Sequence, residues 1–271
     1  MSPSGRSTRQ EPALDVEALS AGYPGVLALE DVGFTLDAGR ICALVGANGS
    51  GKSTLFATLL GLRSPVSGQV RIFGGSPRAA RRQNLVSYVP QHDQIDPTFP
   101  ITVDQTVMMG RYAHMGICRR ARPADHEAVA AALEQVGLTD LRSRTIGELS
   151  GGQRRRTLLA RSIAQRAPLM LLDEPFAGVD RASERLIIDV LHHLRDSGTT
   201  MLVSTHHVEG VPDLAEEVIL LHRRLLAAGP PSEVLTEETL ARGFGTVLGV
   251  PSRAAPFAPG PFQAAEEDPG R

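Results

Sequence analysis

The stretch GANGSGKST at residues 46–54 leaves this chain little choice of fold. It fits G-x-x-x-x-G-K-[ST], a glycine-rich turn whose backbone N–H groups curl around a phosphate when a strand leads in and a helix leads out. Both flanks are present. ICALV (41–45) is an apolar run of strand length, and residues 52–62 read as a helix. Gly46 and Gly51 give the backbone the freedom the curl needs, and the helix N-terminus adds partial positive charge. Lys52 supplies a compact ammonium for β- and γ-phosphates, and Ser53, with Thr54 beside it, is placed to ligand Mg²⁺. Of the 28 basic residues only Lys52 is a lysine. A planar guanidinium is wider and fork-shaped, whereas this loop closes on a point charge.

The surrounding pattern agrees with that demand. Short, nearly continuous apolar runs at Ile41–Val45, Leu85–Val89, Leu169–Leu172, Met201–Ser204 and Val218–Leu221 read as strands buried on both faces. Helical patterns at Lys52–Leu62, Pro123–Val136, Gly152–Gln165 and Arg181–Arg195 lie between them. Alternation of this kind predicts an α/β fold with a mostly parallel sheet covered on both sides. Ala13–Leu19, Leu29–Leu36 and Gln69–Phe73 alternate more and predict a small antiparallel β subdomain. Residues from about 95 to 165 hold helices and no convincing strand, an α-helical subdomain. Residues 1–12 and 248–271 read as disordered tails, the second rich in Pro, Ala and Gly, leaving 13–247 as the folded unit.

Composition removes several classes of function. No apolar run approaches the roughly 18–20 residues of a membrane helix, and the N-terminus lacks a secretory h-region. A net charge of −2 over 271 residues argues against nucleic acid as the main partner. Cys42 and Cys118, the only two cysteines, form no CxxC, which leaves no disulfide framework or cysteine zinc site. Cys42 reads as a small core residue. No guanine-selecting NKxD string occurs, which argues against a GTPase.

Two further strings complete a site. PLMLLDEP (168–175) is an apolar strand ending in two carboxylates. Asp173 is placed to hold Mg²⁺ through water. Glu174 is placed as the general base on the attacking water, a role worth about 10²–10⁴ in rate. LSGGQ (149–153) opens a helix with exposed N–H groups, a second phosphate-binding geometry.

With these strings in this order, residues from about 13 to 245 resemble the ATP-binding subunits of ABC transporters, P-loop NTPases with a RecA-like core. The resemblance makes GANGSGKST the Walker A loop, LMLLDE the Walker B strand and LSGGQ the signature. It implies that ATP is held by Tyr23, stacked on adenine, and by Gly46, Asn48, Gly49, Ser50, Gly51, Lys52, Ser53 and Thr54. It makes Gln91, in SYVPQ, the Q-loop glutamine that contacts Mg²⁺ or water and senses the membrane subunit. Asp180, in AGVD, becomes the D-loop aspartate and also suits an N-cap for the helix at Arg181. His206, in VSTHH, becomes the switch histidine on the γ-phosphate, with His207 where aspartate often follows. His192 and His193 read as surface residues, and Arg119, Arg120, Arg122 and the run Arg154–Arg156 as solvated faces.

The resemblance further implies a head-to-tail dimer around two ATP, in which Ser150, Gly151, Gly152 and Gln153 serve the nucleotide bound by the second copy. It implies an integral membrane permease as partner, an external solute-binding protein acting indirectly, and a cytoplasmic place on the inner face of the membrane. The stretches 96–116, 175–180 and 220–240 resemble the manganese, zinc and iron importers in particular. The ATPases of siderophore, haem or cobalamin importers form the neighbouring reading. From another class come non-transport relatives in nucleic-acid repair or translation. Only residues 55–148 separate Walker A from the signature, with no sustained heptads, and a single ATPase unit fits the chain.

Overall fold

The computed structural model describes residues 11–91 and 99–244. In chain order the elements are β1 (Leu14–Tyr23), β2 (Val26–Leu36), β3 (Ile41–Val45), α1 (Lys52–Leu59), β4 (Ser67–Ile72), α2 (Pro77–Arg82), β5 (Val86–Val89), α3 (Val103–Met108), α4 (Pro123–Gln135), α5 (Gly151–Gln165), β6 (Leu169–Asp173), α6 (Arg181–Asp196), β7 (Thr200–Thr205), β8 (Glu217–His222) and β9 (Arg224–Gly229). Short helices at Val211–Leu214, Pro231–Val234 and Glu237–Phe244 follow α6. The tails read at 1–12 and 248–271 lie outside the described residues, apart from Glu11 and Pro12, and so does 92–98 at the entry to the helical part.

Two sheets form, as the patterning requires. The larger runs β5-β6-β7-β3-β8-β9, parallel except for the antiparallel β8–β9 pair. The smaller is antiparallel, β2-β1-β4. Every residue of β3, β6 and β7 is buried, which is why these strands read as continuous apolar runs. The strand period of two divides the core. Ile41, Ala43 and Val45 face a cluster built with α4, α5 and α6, whereas Cys42 and Leu44 face one built with α1 and the antiparallel sheet. Burying each large aliphatic side chain of this kind contributes about 1.5–3 kcal/mol. β3, β6 and β7 run side by side in one direction, so the loops after Val45, Asp173 and Thr205 converge at one sheet edge. That edge, at the carboxyl ends of the strands, is where open α/β sheets bind ligands.

Some boundaries differ from the sequence expectation for local reasons. α1 stops at Leu59 and not Leu62, because Leu60 caps it and Gly61 turns at φ +65°. α5 starts one residue early, at Gly151, because Ser150 caps it. β1 reaches Tyr23 through a shift in register after Val16, where Ala18 sits at φ +46°. β9 was not expected. It is an edge strand whose half-buried residues break the alternation, reached through Arg223 at φ +58°.

Candidate nucleotide site

β3 delivers the glycine-rich loop, and its glycines serve different needs. Gly49 and Gly51 stand at φ +81° and +105°, a region that only glycine enters freely. Gly46 is required for space: a Cβ there would lie 2.3 Å from the Leu221 carbonyl oxygen. The Arg223 N–H donates to the Ser50 carbonyl at 2.8 Å, and the Arg223 carbonyl accepts from Glu30 N–H at 2.7 Å, so the β8–β9 turn braces the loop. Lys52 Nζ donates to the carbonyls of Gly46 at 2.6 Å and Ala47 at 3.2 Å. Burial pushes its pKa down, while Glu174 and Asp173 oppose that shift. Ser53 is exposed, and the buried Ser50 hydroxyl has no hydrogen-bond partner among the described residues.

β6 and β7 deliver the acidic half. Asp173 ends β6, and Glu174 follows at φ +49°, only 5% exposed. The Ser204 hydroxyl donates to Asp173 Oδ1 at 2.6 Å and accepts from Glu174 N–H at 2.9 Å. Tyr88 donates to Asp173 Oδ2 at 3.4 Å. Burial, with the Asp173 charge added, pushes the phenol up to about 12. His206 Nδ1 lies 2.7 Å from Glu174 Oε2, and the His206 and His207 rings sit 4.1 Å apart.

A cavity of about 310 Å³ opens between the two halves, lined by residues 47–54, Tyr23, Val26, Ala28, Gln91, Asp173 and Glu174. A glycine-rich loop, a buried ammonium and two carboxylates thus share one space. A larger cavity, about 450 Å³, lies among α4, α5 and α6 at the opposite strand ends and has none of this chemistry. Tyr23 is 55% exposed, and the Arg63 guanidinium lies 3.9 Å over its ring centroid, held by the Gly22 carbonyl at 2.6 Å. One ring face is therefore backed by the guanidinium.

The signature residues stand apart from that cavity. The Ser150 hydroxyl accepts from Gln153 N–H at 3.2 Å, and Gln153 Oε1 accepts from Ser150 N–H at 2.9 Å. LSGGQ therefore contains a Ser-x-x-Gln capping box, legible in the sequence by its spacing. A Cβ on Gly152 would lie 3.1 Å from Ser183 Oγ, where α5 and α6 meet by their N-termini. Asp180 caps α6, its Oδ1 accepting from Ala182 N–H at 3.0 Å and Ser183 N–H at 2.9 Å.

The run Arg154–Arg156 is not a solvated face. Arg155 is buried and donates to the carbonyls of Pro90, at 2.6 Å, and Gln91. Arg156 donates to Val136 at 2.9 Å. α5 lies against β5 and α4, and at roughly 3.6 residues per turn the three side chains point in different directions, so Arg155 meets the neighbouring elements while Arg154 stays at the margin. Arg119, Arg120 and Arg122 are exposed and Cys42 is buried, as expected. Ser204, Tyr88, Arg63 and Arg223 join or brace the site without any signal in the sequence, and Arg155 braces it where the sequence suggested a solvated side chain. The sequence model of the family described as ABC transporter matches residues 29–177.

The chain belongs to the ABC transporter family. It is 48% identical over 238 residues to the chelated iron transport system membrane protein YfeB of Yersinia pestis, covering 88% of this chain and 80% of that protein. It is 46% identical over 233 residues to the manganese transport system ATP-binding protein MntA of Synechocystis sp., covering 86% and 90%. A metal-chelate type ABC transporter solved in an inward-facing conformation superposes with a TM-score of 0.77 at 32% identity, covering 87% of this chain and 90% of that one. This ABC protein therefore binds and hydrolyses ATP, with a P-loop fold that joins a mostly parallel sheet, a small antiparallel sheet and helices.

Proposed function

We propose that this chain powers the import of a divalent metal, manganese, zinc or iron, through a separate membrane permease. The observation that carries the reading is likeness along nearly the whole chain to proteins named for iron and manganese transport. A metal chelate is the second reading, favoured by the similarity to the metal-chelate type transporter. No described helix is long and apolar enough to cross a membrane. We place the channel in the permease and this subunit peripherally on the cytoplasmic face, a reading supported by the likeness to transport-system ATP-binding proteins. We assign residues 13–247 to the ATPase unit.

Within the site, Lys52 and the N–H groups of the loop from Gly46 to Thr54, Asn48, Gly49 and Ser50 included, hold the phosphates, and the free face of Tyr23 receives adenine. The Ser53 hydroxyl, the Asp173 carboxylate and Gln91 are hard oxygen donors around one cavity and suit Mg²⁺. Bound there, Mg²⁺ would neutralise phosphate charge. Glu174 takes the proton of the attacking water, and His206 orients Glu174 and reaches the γ-phosphate.

A second copy completes the site. Ser150, Gly151, Gly152 and Gln153 do not line their own chain's cavity, which supports their service to the partner's ATP in a head-to-tail dimer, with Asp180 beside them. An external solute-binding protein would select cargo upstream of the permease. The test is purification from detergent-solubilised membranes. A co-purifying hydrophobic permease is expected, and nucleic acid in its place would overturn the transport reading.

A further inference from the structure

Ser204 is a polar residue where the fold calls for an apolar one. It lies in β7, whose six residues are all buried, and is itself 0% exposed. In register it stands between Asp173 on β6 and Leu44 on β3, the strand that feeds the phosphate loop. A hydroxyl buried in the middle of a sheet is costly unless both its donor and its acceptor find partners. Here both do, and both partners belong to the acidic half of the site. The hydroxyl hydrogen goes to Asp173 Oδ1 at 2.6 Å, which leaves a lone pair for Glu174 N–H at 2.9 Å. The Ser204 carbonyl accepts from the same N–H at 3.2 Å.

We propose that Ser204 is a positioning residue for ATP hydrolysis, fixing Asp173 and the Glu174 peptide relative to each other through one hydroxyl. The inference rests on the roles assigned above to those two carboxylates. Ser204 does not line the cavity, so it acts through them and not on the nucleotide. Glu174 occupies a left-handed conformation that a non-glycine residue holds only when its surroundings impose it. The paired acceptors of Ser204 impose it on the peptide N–H, and the His206 contact holds the other end of the residue. Without the hydroxyl, Asp173 Oδ1 loses this donor and the Glu174 peptide keeps only its longer bond. Small displacements of catalytic groups cost rate more than binding.

The experiment compares Ser204→Ala, Ser204→Thr, Ser204→Val and Glu174→Gln in the full chain with its permease. Ser204→Ala is expected to lower kcat by about 10- to 100-fold, with KM for ATP and affinity for a fluorescent ATP analogue within about twofold of wild type. Thr and Val match in shape and both suit a strand, so Thr is expected to turn over faster than Val because it keeps the hydroxyl. A kcat within twofold of wild type for Ser204→Ala, or equal turnover of the Thr and Val variants, would overturn the proposal. Glu174→Gln separates the two levels of the argument. Full turnover in that variant removes the assignment of the base, whereas an inactive Glu174→Gln beside a fully active Ser204→Ala removes only the role of Ser204.

Discussion

His206 and Glu174 form one hydrogen-bonded unit, Nδ1 to Oε2 at 2.7 Å, although they stand 32 positions apart in the chain, on neighbouring strand ends. The buried carboxylate of Glu174 is thereby aimed by a half-exposed ring. Glu174→Gln keeps the shape and removes the base, so it is expected to bind ATP, accumulate a closed dimer and lose about 10²–10⁴ in kcat. His206→Ala should lose less, and the double variant should lose little more than Glu174→Gln alone, because coupled residues do not add. Single-turnover rates and sedimentation with ATP measure both effects. Additive losses would separate the two roles.

Lys52→Arg is expected to abolish nucleotide binding or turnover while leaving the melting temperature near that of wild type. The ammonium sits against the Gly46 carbonyl at 2.6 Å, inside a loop whose first glycine already has no room for a Cβ. A forked guanidinium cannot take that place. Calorimetric titration with ATP and thermal unfolding read the two halves of this expectation separately.

Arg155 and Arg154 are sequence neighbours with opposite expected outcomes. Arg155→Ala leaves the carbonyls of Pro90 and Gln91 without their charged donor and should cost about 1–3 kcal/mol. It should also slow hydrolysis, because Gln91 lines the nucleotide cavity. Arg154→Ala, at a half-buried position, should stay within about 0.5 kcal/mol of wild type. Urea unfolding of the two variants makes the comparison.

Arg63→Ala removes the guanidinium that backs Tyr23. Interactions of this kind contribute about 0.5–1 kcal/mol at exposed sites, so KM for ATP should rise by about two- to fivefold with kcat unchanged. A fall in kcat with KM constant would place Arg63 elsewhere in the mechanism.

The parts of this fold that sequence revealed are those with a local physical signature. β3, β6 and β7 announce themselves because burial on both faces demands unbroken apolar runs. Gly46, Gly51 and Lys52 do so because few residue types tolerate that turn. Asp180 as a helix cap follows from its place before Arg181. What stayed hidden are polar contacts between distant segments. Ser204 reaches Asp173 across 31 residues and Arg155 reaches Pro90 across 65, with no periodicity to betray either. An arginine run on a helix looks solvated until the neighbouring elements are in place. β9 stayed hidden because an edge strand buries too little to impose a pattern.

The most direct measurement is uptake of radioactive manganese and iron by a strain deleted for this gene and complemented with wild type or with Glu174→Gln. The account predicts that deletion lowers uptake of at least one metal, that wild type restores it, and that Glu174→Gln does not. Uptake of both metals unchanged by deletion, or restored equally by Glu174→Gln, would contradict it.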